Sequence, residues 1–133
     1  MQKKLLIITG ILGALAVTLG ATGAHGLKEK LGTGLITEAN LVSFETAARY
    51  HMYHSIVLLA LVFLFEKFSV KMLTAAAYCF IIGILFFSGS LYLMATSKLL
   101  GLGNVSWLGP VTPLGGLFLI AGWILLIFAA IKK

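Results

Sequence analysis

The sequence predicts an all-α protein, a four-helix transmembrane bundle with both termini cytoplasmic. Three observations carry that prediction. Only 11% of the 133 residues are charged and 60% are hydrophobic, where a soluble domain is about 25% charged. Four apolar stretches each approach or exceed the ~20 residues that the hydrocarbon core of a bilayer requires. The lysines stand at the ends of those stretches rather than along one face, as membrane-flanking charges do. The net charge of +6 is thereby explained without a nucleic-acid partner. Spans are expected near residues 5–25, 38–66, 72–97 and 113–132, forming one integral membrane domain over 1–133.

The first span, Leu5 to Ala24, follows Lys3-Lys4 and ends in the small residues Gly23-Ala24. That arrangement mimics a cleavable signal peptide, but the run exceeds the usual core of about 7–15 residues, so a retained span is expected. Ala16, Gly20 and Ala24 form one ladder at i, i+4, and Gly10, Ala14, Thr18 and Thr22 another. Small-residue ladders let a second helix approach closely where packing, not water exclusion, drives association. The connector from Leu27 to Asn40 carries Lys28, Glu29, Lys30 and Glu38, with Gly32 and Gly34 as breakers. Leu27 and Leu31 share a helical face, which predicts a short interfacial helix there.

The second span holds the most informative stretch, Phe44 to Ser55, with Arg49, His51, His54, Tyr50 and Tyr53 at the head of an apolar run. Only eleven residues separate His54 from Glu66. A helix that crosses the bilayer must therefore begin near Thr46, and the start is expected at Thr37 or Glu38. That places His54 about 16 Å from Phe65, near the midplane. An ionisable residue at such depth is a functional-site hypothesis. Its bland counterpart is a helix end whose Arg49 snorkels to the headgroups. Ser43, Ala47, Tyr50, His51 and His54 share one face, and Glu45, Arg49, Met52 and Tyr53 the opposite one. Glu45 and Arg49, four apart, are expected to pair at the boundary.

The third span, Met72 to about Ala95, is interrupted by Ser88-Gly89-Ser90, and Cys79 inside it packs as a small apolar residue. A lone cysteine excludes a disulfide framework and a cysteine metal set. A Gly-rich connector to Pro113 leads into the fourth span, where Gly115, Gly116 and Gly122 permit close packing. Lys3, Lys4, Lys67, Lys71, Lys132 and Lys133 fall on one side, against Lys28, Lys30, Lys98 and Arg49 with three glutamates on the other. That asymmetry predicts cytoplasmic termini in a multi-pass protein of the cell membrane.

Depth along each span, at ~1.5 Å per residue, brings polar groups from all four helices to the outer third. His25, Arg49, Tyr50, His54, Ser88, Ser90 and Thr112 are the candidate site residues, lining an outward polar pocket floored by His54. His54 is expected to bond a hydroxyl of Ser88, Ser90 or Tyr50. His51 and His54 with His25 are metal-ligand types, but no carboxylate shares their face. Ser88 or Ser90 with His54 lacks the third member of a hydrolytic set, and no phosphate loop or dinucleotide fingerprint occurs. No enzymatic activity, cofactor or metal is therefore expected. The protein reads as a module whose pocket binds or conducts a small solute, ion or lipid. Alternatively, it is an assembly or stabilising subunit whose polar cluster is structural. The bilayer and a homo-oligomeric partner are expected, with a small-molecule or lipid ligand on the first reading.

The chain also resembles a known family. The carrying segments are Gly13-Ala14 through Gly23-Ala24-His25-Gly26-Leu27, Phe44-Glu45-Thr46-Ala47 with Arg49-Tyr50-His51-Met52-Tyr53-His54, Phe87-Ser88-Gly89-Ser90-Leu91-Tyr92, and Thr112-Pro113-Leu114-Gly115-Gly116 with Gly122-Trp123. In order and over nearly the whole length, they are similar to the small bacterial membrane proteins termed domain of unknown function 423, or uncharacterised protein family 0382. The resemblance implies a four-span envelope protein without an assigned activity. The family pattern carries glutamine where His51 stands and a shorter loop after Gly32.

Overall fold

The computed structural model describes residues 1–131; Lys132 and Lys133, part of the lysine count and of the expected fourth span, lie outside the described residues. Four helical rods form the molecule. The first runs Gln2–Lys30, comprising α1 (Gln2–Ala21), a π-helical turn over Thr22–Leu27 and a 3-10 turn over Lys28–Lys30. The second is α2 (Glu38–Leu64). The third runs Val70–Thr96 as α3 (Val70–Gly83), a π-helical turn over Ile84–Ser88 and α4 (Gly89–Thr96). The fourth runs Ser106–Ile131, a 3-10 turn leading into α5 (Val111–Ile131). All four are long and apolar enough to cross a membrane. The protein is an all-α, four-helix transmembrane bundle.

Local chemistry explains the ends. Thr37 caps α2: its Oγ accepts from Asn40 N–H at 3.1 Å, and Asn40 Oδ1 accepts from Thr37 N–H at 3.0 Å. That reciprocal box satisfies two backbone donors that the helix cannot. The first rod continues past the expected end at residue 25, because the chain passes Gly23 and Gly26 in a π-helical turn over Thr22–Leu27 instead of stopping. The expected interfacial helix at Leu27–Leu31 is replaced by that turn and the 3-10 turn. Leu27 is buried with Ile36, Leu41, Phe44 and Ala95, so the connector folds down onto the bundle. Gly32 and Gly34 reverse the chain at φ 82° and 81°, a region that other residues rarely adopt.

α1 packs along α2, α2 along residues 84–96 of the third rod, and α3 along α5. Leu58, Leu61, Leu73, Ala76 and Phe80 are sealed in the larger core. Lipid is as apolar as these side chains, so close fit rather than exclusion of water holds such rods together. Glycine makes the fit. A Cβ on Gly115 would strike the backbone of Phe87, one on Gly122 would lie 2.7 Å from the Phe80 ring, and one on Gly83 would meet Leu119. The small residues expected to allow close packing in the fourth span thus do so at Gly115 and Gly122. Gly116, with its nearest neighbour at 3.8 Å, is not needed for contact.

Candidate functional site

The polar residues of α2 divide as its helical faces require. Ala47, His51 and His54 are buried, while Glu45, Arg49 and Tyr53 are exposed. Tyr50 lies at the border: its side chain is exposed, with its ring 4.9 Å from that of Phe87 and 6.1 Å from that of His54.

His54 is held between two fixed partners. Its Nδ1 lies 2.7 Å from the Tyr50 carbonyl oxygen, and its Nε2 lies 3.3 Å from the indole Nε1 of Trp123. A carbonyl only accepts and an indole N–H only donates. Nδ1 therefore carries the proton, Nε2 offers its lone pair to Trp123, and the imidazole is neutral. The expected hydroxyl partner is not used. Ser88 donates instead to the Ala47 carbonyl at 2.9 Å, bridging the third rod to α2. Ser90 donates to the Phe87 carbonyl at 3.0 Å, and the Thr112 hydroxyl, 2.6 Å away, donates to Ser90. The reason is geometric: a helix carbonyl one turn back is always within reach, whereas a hydroxyl on another helix must arrive at the right height.

Ser88, Ser90, Thr112 and His54 thus belong to one polar seam linking α2, the third rod and α5, with the Tyr50 carbonyl as an acceptor. The π-helical turn at Ile84–Ser88 precedes Ser90 and includes Ser88, and such turns re-aim side chains inside otherwise regular helices. His25 and Arg49 are not in the seam. Both are exposed and neither is hydrogen-bonded to it. Glu45 and Arg49 do not pair either, since no ion pair within 4.0 Å occurs among the described residues. An exposed i, i+4 pair gains too little to hold two long side chains together.

Two seam members escaped the sequence reading of the site. Tyr92 places its hydroxyl 3.3 Å from His51 Nδ1, with its ring 4.8 Å from that of Phe44. Trp123 closes the seam from α5. Its signal was position: it sits mid-span and half-exposed on α5, whereas membrane tryptophans favour the interfaces, and an indole N–H in hydrocarbon seeks a partner. Two surface clefts lie away from the seam, one between α1 and α3 and one between α1 and α2. Among the described residues, no three His, Cys, Asp or Glu side chains gather as metal ligands. Two buried side-chain polar atoms among the described residues lack partners, His51 Nε2 and Thr9 Oγ1.

Comparison with known proteins decides the family. The model described as "Protein of unknown function (DUF423)" matches residues 19–116. The chain belongs to the DUF423 family. Among its relatives, the UPF0382 membrane protein YwdK of Bacillus subtilis is 41% identical over 131 residues, covering 97% of this chain and 98% of that protein. A UPF0382 membrane protein of Staphylococcus epidermidis is 39% identical over 130 residues, covering 97% of each. No solved structure matches the chain. The DUF423 match spans His54, Ser88, Ser90 and Thr112 but stops before Trp123.

Proposed function

We propose that this multi-pass membrane protein is a non-enzymatic assembly module, in which the polar seam clasps the bundle and a groove beside α1 receives a second copy of the chain. Cytoplasmic termini and a homo-oligomer belong to the same reading. The observation that carries it is the α1–α2 groove of about 340 Å³, lined by Thr9, Gly10, Gly13 and Ala14 on one side and by Met52, Ser55 and Ile56 on the other. A Cβ built on Gly10 or Gly13 would meet nothing within 4 Å, so this face admits a helix that the monomer does not supply. Thr9 lines the groove at 6% exposure with an unpartnered hydroxyl. A catalytic role has less support, because Ser88, Ser90 and both nitrogens of His54 are engaged within the bundle.

Native mass spectrometry from mild detergent tests the reading. The wild type should appear as a homo-oligomer, and Gly13→Leu, which fills the groove, should appear as a monomer with unchanged melting temperature. A wild type that is monomeric across detergents and concentrations overturns it. One observation favours the solute-binding reading: His51 Nε2 is buried without a partner, an atom that a small polar guest would satisfy. A small molecule retained in the same spectra and lost in His51→Leu would favour it.

A further inference from the structure

The cleft between α1 and α3 lies at the end of the molecule opposite the polar connectors. α1 leans on α2 and α3 on α5, which leaves a gap of about 350 Å³ between the first and third rods. Its polarity runs in one direction. Lys4 and Thr74 line it near the helix ends, and Leu5, Ile8, Ala77 and Ile81 line it further in. Lys4 to Ile8 is one turn, ~6 Å, and Thr74 to Ile81 is two turns, ~10 Å, along the membrane normal. The charge around the mouth is one-sided: Lys3, Lys4, Lys67 and Lys71 are all exposed at this end, with Glu66 as the acidic side chain among them.

We propose that this cleft binds one anionic phospholipid, its phosphate at Lys4 and an acyl chain along Ile8 and Ile81. A cationic rim over an apolar slot parallel to the bilayer normal matches the two ends of such a lipid, and basic clefts between membrane helices suit anionic headgroups. A second copy of this chain is a poorer occupant. In the same membrane orientation it would bring its own lysines against these, a like-charge contact that disfavours docking. The cleft and the α1–α2 groove use different residues of α1, so the lipid site stands independently of the assembly proposed above.

The test is lipid retention by the intact protein. Native mass spectrometry would follow release into detergent with phosphatidylglycerol or phosphatidylcholine of matched chains. The expected result is one retained lipid per protomer, phosphatidylglycerol preferred, with the preference falling about five-fold in Lys4→Gln, the share of one lysine at an anionic surface. Ile8→Trp, which fills the slot from a partly exposed position, should remove the retained lipid of either headgroup. Lys28→Gln at the opposite end should change nothing. No retained lipid, equal retention of both headgroups, or a preference untouched by Lys4→Gln would each overturn the proposal. So would a spectrum in which Ile8→Trp loses a second copy of the chain rather than lipid.

Discussion

The bond from Trp123 to His54 is the part of the seam most open to measurement, through a double-mutant cycle of His54→Leu, Trp123→Phe and the pair. His54→Leu leaves an indole N–H bare in an apolar surround; Trp123→Phe leaves the Nε2 lone pair bare. Replacing both partners removes the mismatch, so the double variant should be less destabilised than the sum of the singles. The magnitude follows from geometry and medium. At 3.3 Å the bond is longer than the usual 2.7–3.2 Å range, and interhelical bonds in membranes average ~0.6 kcal/mol with a maximum of ~1.7. A coupling of ~0.6–1 kcal/mol is expected. Packing lost around Phe80, whose ring is 5.5 Å from that of His54, enters singles and double alike and cancels. Reversible unfolding in mixed micelles, followed by transfer between dyes at positions 34 and 104, supplies the four stabilities. Additivity within ~0.3 kcal/mol would refute the bond as a clasp.

Gly115→Ala should destabilise the bundle by ~1–3 kcal/mol because the new methyl meets the Phe87 backbone. Gly89→Ala, with open space around it, should instead stabilise its helix by ~0.5–1 kcal/mol, and thermal melts in detergent compare the two. Thr37→Ala removes the α2 cap and should cost about 1 kcal/mol, with faster amide exchange confined to the first turn. In a Cys79→Ala background, Asn104→Cys and Gly34→Cys should react with an impermeant thiol reagent from outside intact cells and Glu66→Cys should not; the reverse pattern would invert the topology.

Much of the fold was legible because membrane crossing imposes length. Apolar runs and lysine flanks located all four rods, and the extended α2 followed from counting back from Glu66 past His54. The boundaries that differ are those where the backbone departs from a regular helix. Glycines at 23 and 26 read as a stop, yet the chain passes them in a π-helical turn and ends three residues beyond Leu27. The inward face shared by Ala47, His51 and His54 was also legible, since it follows from helical periodicity alone.

The partners were not legible, and the medium explains why. A hydroxyl in hydrocarbon has no water to bond, so it turns to the nearest acceptor, the carbonyl one turn back along its own helix. Thr18, Thr22, Thr46, Ser55, Thr74 and Thr96 all do this, at 2.7–2.9 Å, and His54 does so through Nδ1. Polar residues at similar depth on different helices therefore need not meet, which is why height alone did not give the partners. Crossing bonds arise in two ways: a hydroxyl spends its one proton on a neighbouring rod, as Ser88 and Thr112 do, or a side chain has a second site left after its local bond. Ser88 crosses to the Ala47 carbonyl, and His54 has a second nitrogen left for Trp123. Thr9 breaks the pattern: its hydroxyl is buried and bonds neither its own helix nor its neighbour. Every other threonine of the four rods finds an acceptor, a carbonyl one turn back or, for Thr112, the Ser90 hydroxyl, and that contrast, with the unpacked Gly10 and Gly13 beside Thr9, is what the assembly proposal rests on.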